Sequence, residues 1–363
     1  MGSGPAVVVG PGDRLQRELA ARGWTQRDLA EIMGRPVQTV NEIMKGGKQI
    51  TAETARQLAE AFDTSPDLWL SLETAYRLSL AERPSDEIAR RRQLYAAAPV
   101  GEILRRGWLG RATTLDQIEQ ALCQFLGVKS IDEDPKVPIA GLRRTMTRDP
   151  EPRAQVAWVK RTEALARDQP VGADFDRDRL ATDIPGLLAT SPEPNAHCEV
   201  PAFLLARGVH FVLVPHLPKT YQDGAAFAID SRPIIGMTLR YDRLDHFWFT
   251  LTHELAHVVL GHEGVIDQFG KPGGDEATES QANATASTWL IDPSAYAAFL
   301  DRTDSRPSRA DIIEFADAIG RHPGIVVGRL HHDSKLAYGR HRDLLGEARR
   351  CLSKWSDLSV PAD

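Results

Sequence analysis

The stretch that most constrains this chain runs from Asp242 to Leu260. Phe247, Trp248, Phe249, Leu251, Leu255, Val258, Val259 and Leu260 predict a strongly apolar helix, and Gly261 is a usual residue just past a helix end. Inside it stands His253-Glu254-Leu255-Ala256-His257. Residues four apart share a helix face, so the two imidazoles can meet at one point, with Glu254 at the edge of that face. One reading is two ordinary buried or surface histidines. The other is a Zn2+ site. The second is favoured because two histidines and a glutamate are costly in so apolar a segment unless something partners them. The spacing is that of the HExxH arrangement, with His253 and His257 as metal ligands. Zinc lowers the pKa of water toward neutrality, and Glu254 serves as general base and acid.

Catalytic zinc usually takes a third protein ligand. The candidates are His262, Glu263, Glu276 and Glu279. A metzincin places its third histidine six residues after the second. That position is Glu263, the histidine is one short, and Gly261 interrupts the helix. A second helical pattern runs from about Glu276 to Leu290 and ends before Pro293, and its resemblance to the downstream helix from which glutamate-zincins supply their third ligand makes Glu279 the expected ligand, with Glu276 as runner-up. Asn283 is expected to orient His253 or His257. Tyr241, His331 and His332 are weighed as donors to a tetrahedral oxyanion, against an ordinary structural role, which is favoured for each.

Ahead of the long helix, Val209 to Val214, Ala225 to Ile229 and Pro233 to Leu239 read as strands, the last two separated by the turn-forming Asp230-Ser231-Arg232-Pro233. At the other end of the chain, Thr25 to Met33 predicts a capped helix with Leu29, Ala30, Ile32 and Met33 inward. Gly34-Arg35-Pro36 breaks it. Val37 to Met44 then starts a second helix with Val37, Val40, Ile43 and Met44 inward. Gln38, Thr39, Asn41 and Glu42 are left outward, as a helix-turn-helix leaves the side chains that read base edges, and Arg35, Lys45 and Lys48 are placed to grip phosphates. A helical domain that binds protein, or nothing, is the alternative. The Arg90 to Arg106 stretch reads as an exposed helix face rather than a phosphate contact.

At 363 residues the chain is long enough for two or three domains, and 42% hydrophobic against 26% charged residues excludes a disordered chain. The predicted fold class is multi-domain: an all-α helix-turn-helix domain over 1–80, a mainly helical connecting region over 81–194, and an α+β zincin-like metallopeptidase domain over 195–363. The formal charge of −6 excludes a uniformly basic surface but not a local one. No apolar run suits a membrane span and the start shows no secretory pattern, so no membrane partner is expected. Cys123, Cys198 and Cys351 are widely spaced and odd in number, which predicts no disulfide framework and a reducing cytoplasm.

The pattern from Gly23 to Tyr76 resembles Xre-type helix-turn-helix domains, and the run Pro66 to Leu72 resembles their HigA-like antitoxin branch. The block Gly208 to His262, followed by Glu279-Ser280-Gln281-Ala282-Asn283, is similar to the ImmA/IrrE metallopeptidases, as are Arg240 to Thr252 and His322 to Leu330. The family pattern usually continues with an aromatic and closes on Leu-Ile/Met-Pro. Here Ala284-Thr285-Ala286 and Leu290-Ile291-Asp292-Pro293 stand instead. The resemblance implies a cytoplasmic protein, nucleoid-associated when on DNA, with operator DNA as one partner and a repressor or toxin-system protein as substrate. Paired half-sites imply a homodimer. The competing expectation is a HigA-like antitoxin or repressor whose second domain mainly binds metal or protein.

Overall fold

The computed structural model describes residues 9–82, 85–137, 140–144, 151–220, 222–262 and 276–357; of residues 140–144 and 276 it describes the backbone alone. The chain divides into two compact units, Met1–Asp86 and Glu87–Asp363.

The first unit holds helices α1 (Pro11–Arg22), α2 (Gln26–Met33), α3 (Val37–Met44), α4 (Ala52–Phe62) and α5 (Pro66–Leu80). Thr25 and Asp28 form the expected capping box: the Asp28 amide donates to Thr25 Oγ1 at 3.2 Å, and the Thr25 amide to Asp28 Oδ2 at 2.6 Å. Gly34 ends α2 at φ 62°, a left-handed turn that glycine takes without steric cost. Leu29, Ala30, Met33, Val40 and Ile43 join Leu15, Leu58, Phe62 and Trp69 in one core. Two expected inward residues are outside it: Ile32 is 50% exposed and Val37 41%. Ile32 lies about 100° round the helix from the centre of the Leu29–Ala30–Met33 face, and Val37 is the first residue of its helix.

In the second unit come α6 (Asp86–Ala97), α7 (Val100–Arg105), α8 (Leu115–Leu126), β1 (Ala140–Arg144), α9 (Pro152–Arg167), α10 (Arg177–Ala189) and α11 (Val200–Leu205). Then follow β2 (His210–Leu213), β3 (Gln222–Ile229), β4 (Arg232–Met237), α12 (Leu244–Leu260), α13 (Glu276–Leu290), α14 (Pro293–Arg302), α15 (Arg309–Ala318) and α16 (Pro323–His332). The four strands form one sheet in the order β1-β3-β4-β2. β3 and β4 make a hairpin whose two-residue turn, Asp230-Ser231, has both residues at positive φ, as the twist of a tight hairpin requires. β2 joins β4 in parallel, and β1 pairs antiparallel with β3 through an irregular register.

Both sheet faces are covered. Phe211, Leu213, Ala226, Ile235 and Met237 share a core with Phe247, Trp248, Leu251 and Leu255 of α12 and with α10 and α16. Val212, Ala225, Phe227 and Ile234 share another with Trp158 and Val159 of α9 and with α7 and α8. Gly236 is what lets α9 lie so close, because a Cβ there would stand 2.8 Å from the Trp158 ring. Residues 87–194 and 195–363 thus meet on one sheet.

The arginine stretch is paired inside this unit. Arg90 binds Asp116 and Glu119, Arg91 binds Glu87, and buried Arg106 binds Glu102 and donates to the carbonyls of Pro215 and His216. Asp292, the insertion that departs from the family pattern, caps α14: its Oδ1 accepts the Ala295 amide at 2.9 Å. The cysteine expectation is corrected. Cys198 and Cys351 are disulfide-bonded with their Cα atoms 5.6 Å apart, and a separation of 153 residues hides that pairing from any local motif; Cys123 is free. Among the described residues no helix is long and apolar enough to cross a membrane.

Candidate metal centre and DNA-reading helix

α12 is buried along most of its length, and His253, Glu254 and His257 are all 0% exposed. The helix stops where expected, with Gly261 at φ 70°. α13 packs along α12 and brings up Glu279. The three donor groups close a triangle: His253 Nε2 to His257 Nε2 is 3.0 Å, His253 Nε2 to Glu279 Oε2 is 3.4 Å, and His257 Nε2 to Glu279 Oε1 is 3.6 Å. Ligands held tetrahedrally at about 2.0–2.1 Å from zinc stand about 3.4 Å from one another. The triangle has that size, and two imidazoles with a carboxylate are a zinc donor set, so the residues fit the ion. Burial pushes the Glu279 carboxyl upward, but hydrogen bonds and charge from His253 and His257 outweigh it and hold the pKa down at about 2.

Three neighbours complete the geometry. Gly224 of β3 faces Glu254: a Cβ there would come 2.7 Å from Glu254 Oε1 and 3.1 Å from the Gly236 carbonyl, so the strand can lie against that carboxylate only as glycine. His262 Nδ1 lies 3.2 Å from His257 Nδ1, which makes it the orienting neighbour of His257. Its pKa is lowered by burial and by His257. Arg321 fixes the far end of α13 by donating to the carbonyls of Leu290 and Trp289, each at 3.0 Å.

Other sequence candidates fall elsewhere. Asn283, expected to orient a histidine, is exposed; Ala282, Ala286 and Leu290 are the buried residues of α13 beyond Glu279. Glu263 lies outside the described residues, as does the side chain of Glu276. Tyr241 stacks on His246 at 4.8 Å, while His331 places Nε2 3.1 Å from the Arg340 carbonyl and stacks on Tyr338. His332 is exposed beside Asp333. Tyr241, His331 and Tyr338 line a cavity of about 320 Å³ with Phe249, Ser287 and Arg329. The Phe249 ring stacks on His253 with centroids 6.5 Å apart, but His253, His257 and Glu279 do not themselves line the cavity.

In α3, Gln38 is exposed and bonded to Glu42 at 3.0 Å, while Thr39 and Asn41 are half-buried. Lys45 and Lys48 are exposed. Arg35 is used internally: Nε donates to Gln57 at 3.0 Å and Nη2 to Glu53 at 2.7 Å, tying the turn to α4.

Family profiles match both regions. Residues 14–69 match the helix-turn-helix profile, and residues 209–316 match that of the IrrE N-terminal-like domain of a peptidase family. The chain is a helix-turn-helix regulator fused to an IrrE-like domain. Its curated relatives include a virulence-associated protein I of Dichelobacter nodosus, 32% identical over 88 residues, or 24% of this chain and 82% of the relative. Another is the uncharacterised HTH-type transcriptional regulator YddM of Escherichia coli, 32% identical over 84 residues, 23% of this chain and 88% of the relative. A solved addiction module antidote protein of the HigA family from Coxiella burnetii is 36% identical, covering 20% of this chain and 82% of its own, at a TM-score of 0.20. The IrrE-like profile spans the histidines of α12 and Glu279. Gly224 carries no local signal in the sequence, because its role comes from a contact across the fold. Sequence alone weighs His262 as a ligand, whereas its position is that of a supporting neighbour.

Proposed function

We propose that the IrrE-like domain is a zinc-dependent endopeptidase and that the fusion cleaves a repressor or another regulatory protein, with the helix-turn-helix placing it on operator DNA as a homodimer. The observation that carries this reading is the His253–His257–Glu279 triangle with Glu254 buried beside it. His253, His257 and Glu279 would hold the ion, which supplies Lewis acidity toward water and the scissile carbonyl. Glu254 takes the proton from the attacking water and returns it to the leaving amine. Gly224 keeps that carboxylate where it acts. The cavity beside Phe249 is roomy enough for a large side chain of the bound peptide. Gln38, Thr39 and Asn41 would meet base edges, with Lys45 and Lys48 on phosphates and Arg35 bracing the turn.

The test is Glu254→Gln. The variant should keep one equivalent of zinc and lose cleavage of candidate repressors by about 10²- to 10⁴-fold. Equal inertness of wild type and variant on every candidate, with operator binding intact in both, would reject the peptidase and leave a repressor or antitoxin with a metal-binding domain. That outcome has an observation behind it, since the curated relatives include proteins named as transcriptional regulators.

A further inference from the structure

Away from the triangle, the described residues bring together a second trio with metal-ligand or redox chemistry: His197, Cys198 and Cys351. His197 Nε2 lies 3.2 Å from Cys351 Sγ and 3.8 Å from Cys198 Sγ. The imidazole is buried edge-on against Phe247 of α12 at 5.8 Å, while both cysteines are half-buried and so within reach of a small solute. Burial lowers the His197 pKa against the opposing pull of the Ala348 backbone and Asp242, which favours the neutral ring.

What the pair ties together is specific. Cys351 sits in a C-terminal strap, residues 342–357, that grips the loop entering α12. The amides of Ala348 and Arg349 donate to Asp242 Oδ1 at 2.8 and 2.7 Å. Arg349 Nη2 donates to the Leu239 carbonyl at 3.0 Å, and the Leu244 amide donates to the Leu345 carbonyl at 3.0 Å. The strap ends on the sheet, where the Asp357 amide donates to the Leu213 carbonyl and the Asp357 carboxylate accepts from Trp108 and Arg161. Cys198 belongs to the short 3₁₀ turn Ala196–Glu199 ahead of α11. Its bond to Cys351 therefore joins the strap to the segment between α10 and α11.

We propose that Cys198 and Cys351, with His197 as their base, are an oxidisable thiol pair that reacts with hydroperoxides, and that the disulfide fastens the strap to the turn ahead of α11 and so holds it against the loop from which the histidine-bearing helix starts. Cys351, the nearer to His197, gives its thiol proton to Nε2, and its thiolate attacks the peroxide oxygen. The O–O bond breaks, and the leaving oxygen takes the proton from His197 and departs as water or an alcohol. Cys351 is then a sulfenic acid. The Cys198 thiol attacks its sulfur, the S–O bond breaks, and hydroxide leaves with the Cys198 proton as water. Two thiols and one hydroperoxide become one disulfide, one alcohol (or water) and one water.

This inference does not depend on the peptidase reading, because its readouts are thiol chemistry and amide exchange. The full-length protein, reduced and then treated with hydrogen peroxide in its native state, should yield a linked Cys198–Cys351 peptide pair lighter by two hydrogens, with Cys123 still open to alkylation. A dithiol reductant should reverse it. Amide exchange at Leu244, Ala348 and Arg349 should slow by about tenfold or more in the oxidised protein. His197→Asn should slow the oxidation by at least about tenfold, and Cys351→Ser should abolish the redox dependence of exchange. Thiols that survive peroxide, oxidation of Cys123 ahead of the pair, or identical exchange in the two wild-type states would overturn the proposal. So would a second zinc equivalent in the reduced protein that blocks oxidation, because the trio would then be a metal site. The exchange comparison uses wild type alone, so a variant that fails to fold leaves the test standing.

Discussion

α12 and α3 carry the two halves of the candidate function and meet opposite physical demands. α12 hides its polar groups: His253, Glu254 and His257 are fully buried, and what surrounds them comes from the same chain, in Glu279, His262 and Gly224. α3 leaves Gln38 exposed and Asn41 half-exposed, and the groups they would meet belong to DNA. Burying an imidazole or carboxylate without a partner costs kilocalories, so the buried site is specified by the fold many times over. The exposed one is specified only by the shape and spacing of its helix.

That contrast is broken most sharply at Glu279. Glu279→Ala removes one of the three proposed ligands, and the protein should lose zinc to a mild chelator that leaves the wild type loaded. Full occupancy in the variant would transfer the role to another residue. The metal-free protein gives an independent reading. The folded-state pKa of Glu279, about 2, lies below its ordinary 4.5, so its ionised form adds stability that is present above about 4.5 and lost as pH falls toward 2. Acid titrations of metal-free wild type and Glu279→Gln should therefore stand apart above about 4.5 and converge as pH falls toward 2. Parallel curves would mean that the carboxylate is not held by the histidines.

Gly224→Ala comes next. The added carbon has no room beside Glu254 Oε1 and the Gly236 carbonyl, so the carboxylate must shift while the three proposed ligands stay in place. The expected loss is up to about 10²-fold in kcat, with zinc content unchanged. A fall in zinc with kcat per zinc preserved would show that Gly224 supports the fold rather than Glu254. His262→Ala is expected to act on the metal instead, weakening zinc affinity by about 10- to 100-fold through the freed His257 ring.

How much of this was legible depended on whether the signal was local. α12, its stop at Gly261 and the β3–β4 hairpin were readable because apolar period and turn chemistry act within a few residues. Ala140 to Arg144 was not read as a strand: the segment has no branched or alternating pattern, and only its pairing with β3 makes it one. The Glu279 expectation rested on the helix after the loop, a spacing visible in sequence. Gly224 and the Cys198–Cys351 bond were invisible for the same reason as β1, because each is defined by a contact across the fold. Ile32 and Val37 show the converse: an apolar residue near the right period was assigned inward although it lies at the margin of its face.

The smallest expected effects lie on α3, where the comparison can be sharpened rather than broken. Gln38 and Asn41 project from the helix that would enter the major groove, whereas Lys45 and Lys48 follow its end, where phosphates would pass. Base-edge contacts carry sequence information, and each is worth about 1–3 kcal/mol of discrimination. Phosphate contacts carry affinity that falls with salt. Gln38→Ala and Asn41→Ala should therefore narrow the ratio of operator to random-DNA binding by about 5- to 150-fold each, with the salt slope unchanged. Lys45→Ala should weaken both kinds of DNA alike and reduce the salt slope by about 1. Titrations over a range of salt concentrations separate the two patterns. If Gln38→Ala and Asn41→Ala lowered operator and random-DNA affinity equally, the exposed face of α3 would be a general backbone contact, and sequence reading would have to move to another element of the first unit.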